Sequence, residues 1–164
     1  MPQTWILRPI RPADDAEVAA TIRDVMTEFR CTGQGFAIHD AEVAAMSAHY
    51  GSATARYYVV EHSGTVQGGG GFAPLAGSTV EAATCELRKM YFRPAARGLG
   101  LGHALLELLL AEMRAAGFRR CYLETTSWMT AAQHLYRAHG FTALCRAEGA
   151  TGHHGCDLHF ARPL

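Results

Sequence analysis

Residues 93–118 read RPAARGLGLGHALLELLLAEMRAAGF, and this stretch decides the fold. Glycines stand at every second position, 98, 100 and 102, and leucines at helical spacing follow them. The pattern predicts a glycine-rich turn that leads directly into a long helix ending at Gly117. The first amides of a helix have no partner within it and lie at the positive end of its dipole. Because glycines add no side chain, the turn predicts a phosphate-bearing ligand.

Two better-known phosphate loops do not fit this turn. The dinucleotide pattern GxGxxG needs glycine where His103 or Leu105 stands, and the pattern GxxxxGK[ST] is absent from the chain. Arg97 is a candidate for an additional charged contact with the ligand. The alternative is purely structural, since glycines also allow a helix start to pack tightly.

The surrounding segments predict one domain, residues 1–164, in which strands alternate with helices. A short strand near Trp5, two helices after Asp14 and Asp40, and a hairpin with its turn at Ser63-Gly64 precede the glycine turn. Further predicted strands cover 84–92, 121–126, 141–147 and 156–163, with a helix over 130–139. This order is typical of an α+β fold with a mixed central β-sheet flanked by helices.

Composition excludes several classes of protein. Of 164 residues, 49% are hydrophobic, and 15 basic residues balance 15 acidic ones. A neutral chain gives no electrostatic reason to expect nucleic acid or a membrane as partner. The five cysteines form no CxxC pair, which argues against a disulfide framework and favours a reducing compartment. No apolar run has the length of a signal peptide core or a membrane span, so we expect a cytoplasmic protein.

Three segments together resemble a known family. RGLGLG at 97–102 matches the R/Q-x-x-G-x-G/A signature of the GNAT superfamily, the acyl-CoA-dependent N-acyltransferases. KMYF at 89–92 is similar to the family's central strand, and AAQHLYRAHGF at 131–141 is similar to its A-x-x-x-Y-x-x-x-G-F segment. The chain is therefore identified as a GNAT-like domain.

The resemblance implies acetyl-CoA as the co-substrate and no metal. It implies that the diphosphate lies on the amides of the glycine turn and that pantetheine runs along the 84–92 strand like an extra strand. Two central parallel strands, 84–92 and 121–126, would have to splay apart to make this room. The implied binding residues are Met90, Tyr91, Phe92, Arg97, Gly98, Leu99, Gly100, Leu101, Gly102 and His103. The glycines at 68–71 either leave room for bulky neighbours or mark a bulge.

The resemblance also implies a catalytic acid, Tyr136. Attack of an amine on a thioester expels a thiolate whose pKa is about 8.5, and a nearby phenol can protonate it. The alternative is a tyrosine of the hydrophobic core on an amphipathic helix.

The amine must also lose a proton, because the pKa of an alkylammonium is about 10. Strand alternation puts Glu86, Arg88 and Met90 on one side of the 84–92 strand and Lys89 and Tyr91 on the other. Charged residues are unexpected in a central strand, and a polar cleft beside the strand would explain them. Glu86 is therefore the candidate for the base. A structural ion pair between Glu86 and Arg88 is the alternative, and Glu124 is the reserve candidate.

Other polar groups support weaker hypotheses. Met129 stands where many family members have a CoA-contacting asparagine, so that contact is not expected here. HHGCDLH at 153–159 contains metal-ligating residue types, but its spacing fits no zinc motif, and it is interpreted as a wall of the substrate pocket. Acyl transfer through Cys85 or Cys121 is disfavoured, since a free cysteine in a strand is usually a buried apolar residue.

The sequence thus predicts direct transfer of an acetyl group from acetyl-CoA to a primary amine in a ternary complex. The acceptor, a small molecule or a peptide, is not specified by any motif. A non-catalytic acyl-CoA-binding sensor and a nucleotide-binding domain are the rival interpretations. A homodimer is the default expectation among oligomers.

Overall fold

The computed structural model describes residues 4–164 and contains one seven-stranded sheet. The strands are β1 (Trp5–Pro9), β2 (Arg56–His62), β3 (Thr65–Pro74), β4 (Thr84–Phe92), β5 (Arg120–Thr125), β6 (Thr142–Leu144) and β7 (Leu158–Pro163). The α-helices are α1 (Asp15–Glu28), α2 (Met46–His49), α3 (Leu101–Ala115) and α4 (Thr130–Ala138). The spatial order is β1-β2-β3-β4-β5-β7-β6, and only β4 and β5 pair in parallel. The predicted mixed α+β sheet is confirmed. The predicted domain, 1–164, begins with three residues that lie outside the described ones.

Helices cover both faces of the sheet. The leucine stripe of α3, with Leu105, Leu106 and Leu109 fully buried, packs on one face. On the other face α1 buries Val18 and Ile22 in a second cluster. Burial of one such side chain contributes about 1.5–3 kcal/mol, so these stripes fix the two helices on the sheet. Among residues 4–164, no helix is both long enough and apolar enough to cross a membrane.

The two parallel strands separate after three matched positions. Thr84 pairs with Arg120, Cys85 with Cys121, and Glu86 with Tyr122. Beyond Tyr122, β5 continues in register with β7 alone. The predicted splaying of the central strands is therefore confirmed, and it opens a cleft in the middle of the sheet.

A β-bulge in β4 corrects the predicted alternation of side chains. Arg88 pairs with Gly71 and Tyr91 with Gly69, so that Lys89 and Met90 together oppose one glycine of β3. Lys89 adopts a positive φ of 49°, which a non-glycine residue rarely does. The extra residue reverses the parity of the strand. Met90 therefore packs with Leu87 on the α3 face, whereas Tyr91 faces α1, and the predicted sides of these residues were wrong.

The glycines of β3 serve both purposes that the sequence left open. Gly69 and Gly71 flank the register shift. A Cβ on Gly68 would lie 2.7 Å from a ring carbon of Phe92, and one on Gly69 equally close to the ring of Tyr57. Bare backbone here lets two aromatic rings lie flat against β3.

The predicted second helix is shorter than expected. A 3-10 turn, Ala41–Ala45, takes the first part of it, and α2 has four residues. Tyr50 follows α2 and contacts Glu42 through its hydroxyl.

Candidate active site

The glycine turn presents a row of free backbone donors. Gly98 and Gly100 have φ of 73° and 77°, and α3 begins directly afterwards at Leu101. The amide of Ala104 donates to the carbonyl of Gly100 at 3.1 Å. Within residues 4–164, no group accepts from the amides of residues 98–103. A Cβ on Gly98 or Gly100 would meet nothing within 4 Å, so the donors are open to an anion.

These donors form one end of a groove, here called the glycine-turn groove, of about 350 Å³. The end of β4, the start of α4 and the last turn of α1 form its other walls. Its lining includes nearly all of the predicted binding residues: Met90, Tyr91, Phe92, Arg97, Gly98, Gly100, Leu101, Gly102 and His103. Leu99 does not line the groove, and its side chain is 55% exposed.

The side chain of Arg97 is bound to the protein itself. Its guanidinium donates to both carboxylate oxygens of Glu28, at 2.6 and 2.7 Å, and its Nε donates to the carbonyl of Phe92. Bonding to Glu28 raises the pKa of Arg97 further above its usual value. Arg97 thus joins the glycine turn to the end of α1, and its contact with a ligand remains a prediction.

Trp128 joins the opposite wall to the same end of α1. Its indole N–H donates to the carbonyl of Phe29 at 2.7 Å, although the side chain remains 47% exposed. Met129 lies beside Trp128 and also lines the groove. It stands where the sequence resemblance would place a CoA-contacting asparagine.

Two histidines face each other where α3 and α4 meet. Nδ1 of His103 lies 3.0 Å from Nε2 of His139. Burial and the neighbouring His103 lower the pKa of His139. A hydrogen bond between these two nitrogens requires one of them to be unprotonated and to accept from the N–H of the other ring.

The splayed strands enclose a second cavity, here called the strand cleft. Its walls are mostly apolar and include Met26, Phe29, Phe36, Leu123 and Cys156. Its polar residues come mainly from β4, β5 and the loop before β7: Glu86, Arg88, Lys89, Glu124, Thr125, Thr126 and His153. The groove and the cleft adjoin each other, since they share the wall residues Phe29, Met90, Tyr91, Met129 and Tyr136.

Tyr136 lies where the groove and the cleft meet. Its ring packs against Phe141 and Phe160, at 5.9 and 6.4 Å between centroids. Burial raises the pKa of Tyr136 well above its usual value. Among the described residues its hydroxyl has no hydrogen-bond partner. The ring belongs to the hydrophobic core, which was the alternative to a catalytic role. The hydroxyl, in contrast, is free to contact a ligand.

Glu86 is buried in the strand cleft with 3% of its surface exposed. One carboxylate oxygen accepts from Nε of Arg88 at 2.7 Å. Burial raises the pKa of Glu86, although Arg88 opposes the rise. The ion pair that the sequence left as an alternative exists, and it lies inside the cleft.

His153 stands among three carboxylates. Nε2 lies 3.0 Å from Asp40, whereas Nδ1 lies 3.6 Å from Glu124 and 4.0 Å from Glu86. The bond to Asp40 raises the pKa of His153, and burial opposes this. Glu124 accepts hydrogen bonds from the hydroxyls of Tyr122 and Thr151, at 2.7 and 2.8 Å.

Lys89, the only lysine of the chain, is paired with acids outside the sheet. Its ammonium contacts Glu42 and lies 2.7 Å from Asp40, and its side chain is 1% exposed. Burial pushes the pKa values of Asp40 and Glu42 upward, but their hydrogen bonds and Lys89 outweigh it, and both lie below their usual values.

Sequence reasoning missed Asp40 and Glu42, which border the cavity beside His153 and Lys89, and placed His153 only in a wall. A signal was present, since a lysine within a central strand needs acidic partners once it is buried. The sequence does not say which acids these are, because they lie almost 50 residues away along the chain.

Comparisons with known proteins agree with this architecture. The sequence model of the Acetyltransferase (GNAT) family matches residues 20–141. The uncharacterized N-acetyltransferase YjgM of Escherichia coli (strain K12) is 40% identical over 164 residues, covering 99% of this chain and 97% of that protein.

Two solved structures extend the comparison. A GNAT-family acetyltransferase of Staphylococcus aureus Mu50 superposes with a TM-score of 0.82 at 16% identity, covering 98% of this chain and 99% of the other. A phosphinothricin acetyltransferase of Sinorhizobium meliloti, in complex with AcCoA, has a TM-score of 0.74 at 26% identity and covers 100% of this chain and 89% of its own.

Proposed function

The chain belongs to the GNAT acetyltransferase family, and we propose that it transfers the acetyl group of acetyl-CoA to a primary amine by direct attack in a ternary complex. One observation carries the proposal. Free amides at the start of α3 lead through the glycine-turn groove to an adjoining cleft that contains Tyr136 and buried carboxylates. The site thus offers, in spatial order, amides that suit phosphate, a groove that suits the thioester arm, and side chains that suit proton transfer.

The residues present fit acetyl-CoA. Amides 98–103 suit a diphosphate, because the helix dipole and the missing side chains both favour an anion there. Beyond Glu86 the edge of β4 that faces β5 has no partner strand, so its backbone groups suit an extended pantetheine arm. The thioester supplies the activated acetyl group, and a backbone amide at this edge would stabilise the negative charge that develops on the carbonyl oxygen.

Tyr136 is proposed as the acid that protonates the leaving sulfur. Since burial raises its pKa, the hydroxyl stays protonated throughout the neutral range. The thiol formed on departure of the thiolate has a pKa of about 8.5. A phenol whose hydroxyl has no other hydrogen-bond partner is free to supply the proton to the thiolate.

Glu86 or an ordered water is proposed as the base. A buried carboxyl with a raised pKa is a stronger base than an exposed one, which suits removal of a proton from an ammonium near neutral pH. The acceptor is proposed to be an amine of a small molecule or a peptide, and the five free thiols favour the cytoplasm as the place of reaction.

A panel of primary amines, each incubated with acetyl-CoA and followed by thiol release, tests the proposal. Release of CoA with at least one amine is expected. If acetyl-CoA raises the melting temperature but no amine releases thiol, the chain is an acyl-CoA-binding sensor instead. A thermal shift with ATP or NAD and none with CoA would favour the nucleotide-binding rival.

A further inference from the structure

Three hydrogen-bond acceptors from separate segments converge in the strand cleft. They belong to Glu86 of β4, Glu124 of β5 and His153 of the loop before β7, here called the acceptor cluster. One acceptor atom of each residue lies within 4.8 Å of the other two. The side chains of Glu86 and Glu124 are each 4% exposed and that of His153 is 13% exposed, so water reaches them little.

Two of the three acceptors lack a donor of their own. The third, Glu124, accepts from the hydroxyls of Tyr122 and Thr151, and each of its carboxylate oxygens can accept one more hydrogen bond. Asp40 accepts from Nε2 of His153, which leaves Nδ1 with a lone pair in the neutral ring. Arg88 bonds one oxygen of Glu86, and among residues 4–164 no group donates to the other. A buried acceptor without a donor is costly, so the cluster calls for a ligand that brings N–H or O–H groups.

Spacing favours an ammonium group over a tetrahedral zinc ion. Nδ1 lies 3.6 Å from the oxygen of Glu124 and 4.0 Å from that of Glu86. Zinc bonds are about 2.0–2.2 Å long, so tetrahedral ligands are about 3.4 Å apart, and a 4.0 Å separation would widen the angle at zinc to about 140–150°. Hydrogen bonds of about 2.9 Å allow acceptor separations up to about 4.7 Å around one nitrogen. An alkylammonium has three N–H donors for these three acceptors.

Charge favours the same ligand. The strand cleft and the adjoining cavity beside His153 together contain four carboxylates, Asp40, Glu42, Glu86 and Glu124, against two basic side chains, Arg88 and Lys89. With His153 neutral, the surroundings of His153 keep an excess of negative charge that a cationic group would balance.

We propose that the acceptor cluster binds the ammonium group of the acceptor substrate and that Nδ1 of His153, in place of Glu86 or an ordered water, takes the proton which the nitrogen must lose. This inference rests on the proposed function. Asp40 is a positioning residue, because its bond to Nε2 holds the ring with Nδ1 toward the other two carboxylates.

The step balances as follows. One N–H bond of the ammonium breaks, and the proton moves to Nδ1, which makes His153 an imidazolium paired with Asp40. The freed lone pair forms the C–N bond to the acetyl carbon as the C–S bond breaks. Sulfur takes a proton from Tyr136, which regains one from the nitrogen. His153 also borders a cavity lined by Asp40 and Glu42 that opens outward, so its proton can pass to water.

The electrostatic surroundings of His153 suit this role. Asp40, Glu86 and Glu124 favour its protonated form, and Lys89 opposes it. Its pKa is raised above the usual value, which makes it a stronger base than a free imidazole. A cation bound at Nδ1 would lower that pKa.

A titration of the histidine side chains by NMR tests binding without any acetyl transfer. The full chain is titrated with methylammonium chloride and, at the same concentrations, with tetramethylammonium chloride, which has equal charge but no N–H donors. His153→Gln assigns the resonance. We expect methylammonium to lower the pKa of His153, tetramethylammonium to leave it unchanged, and Glu124→Gln to weaken the effect. Equal shifts with both cations, or no shift with either, would overturn the proposal.

Kinetics with the fastest amine of the panel tests the proton transfer. His153→Gln should lower kcat/KM about 100-fold or more and remove the rise of activity with pH that follows deprotonation of the imidazole. Asp40→Asn should move that rise to lower pH, which a merely structural residue would not do. The exposed neighbour His154 provides the control, and His154→Gln should leave kcat/KM and its pH profile unchanged.

The outcomes separate this inference from the proposed function. If no amine releases thiol while methylammonium still shifts His153, the cluster binds ammonium and the catalytic function fails. If amines are acetylated and the pH profile of His153→Gln matches that of the wild type, the function stands and His153 is not the base. A preserved thermal shift with CoA shows that each variant is folded.

Discussion

Glu86 and Tyr122 form the last matched pair between β4 and β5, and the strands part immediately after them. The hydroxyl of Tyr122 donates to Glu124, two residues further along β5. Tyr122 therefore both ends the pairing with Glu86 and holds Glu124, the second acid of the cleft, in place. The pairing that ends here thus creates a free strand edge and a polar cleft at the same point. Both are needed if a thioester and an amine are to meet within the sheet.

Replacement of Tyr136 by phenylalanine tests the proposed acid. Because the hydroxyl has no hydrogen-bond partner among the described residues, its removal should change the free energy of unfolding by less than about 1 kcal/mol. Loss of the proton donor should lower kcat about 100-fold and leave the Kd for acetyl-CoA nearly unchanged. Steady-state kinetics and calorimetric titration measure the two quantities.

Tyr58→Phe is the matched control, since Tyr58 is a buried tyrosine of β2 that lines neither the glycine-turn groove nor the strand cleft. Its turnover should equal that of the wild type. A Tyr136→Phe enzyme with unchanged kcat would exclude the hydroxyl from catalysis.

Gly100→Ala tests the row of donors at the start of α3. A residue other than glycine in the left-handed conformation costs about 1–2 kcal/mol. The turn would relieve part of this strain by rotating its amides away from their present direction. We expect a loss of stability of that size and at least a tenfold weaker Kd for acetyl-CoA, as each 1.4 kcal/mol is worth a factor of ten.

Gly117 provides the control at the other end of α3. It too has a positive φ, 89°, and a Cβ there meets nothing within 4 Å. Gly117→Ala should lose similar stability and bind acetyl-CoA as the wild type does. Equal loss of affinity in both variants would mean that general destabilisation, rather than the turn, weakens binding.

Local patterns account for what the sequence could predict. The leucine spacing of α3 and the glycines before it depend on neighbours within a few residues, so the helix and its turn were found with nearly the observed bounds. The glycines of β3 left a bulge open as an alternative, but they did not indicate that the extra residue, Lys89, lies in β4, because that depends on how the two strands pair. The wrong side for Met90 and Tyr91 followed from that single extra residue.

The polar centre of the cleft depends on contacts across the whole chain. Glu86 was found because a charge in a central strand is conspicuous. Asp40 and His153 are separated by 113 residues and meet only when the loop before β7 folds over the start of the 3-10 turn Ala41–Ala45. No periodicity within either segment indicates the other, so their pairing could not be predicted from one sequence.

Lys89→Met tests the buried ion pairs behind the cleft. Removal of Lys89 leaves the half-buried carboxylates of Asp40 and Glu42 without their cation. Loss of one partner of a buried pair costs about 3–5 kcal/mol, and the partial exposure of the two acids puts the expected cost at the lower end of that range. The pKa values of both acids are lowered in the folded protein, so their stabilising contribution is present above their unfolded pKa of about 4 and is lost as the pH falls below it. The gap between wild type and variant should therefore be largest near neutral pH and shrink as the pH falls below about 4.

Urea unfolding of both proteins across this range measures the gap. Arg56→Met is the control, because Arg56 makes an ion pair with Glu112 while its own side chain remains 45% exposed. Exposed pairs contribute about 0–1 kcal/mol, so this variant should change little at any pH. A gap for Lys89→Met that is constant with pH would mean that lost packing, and not charge, explains it.

Trp128 should report the binding of acetyl-CoA by fluorescence. The chain has two tryptophans, and only Trp128 lines the glycine-turn groove. Trp5 lies on the edge strand β1, stacked on His62 at 4.2 Å between ring centroids. A ligand in the groove changes the solvent contact of the half-exposed indole, so acetyl-CoA should alter the emission of the wild type and of Trp5→Phe. Trp128→Phe should lose the change and, since it also loses the bond to Phe29, bind acetyl-CoA a few-fold more weakly by calorimetry. A full response in Trp128→Phe would place the ligand elsewhere than between Trp128 and the glycine turn.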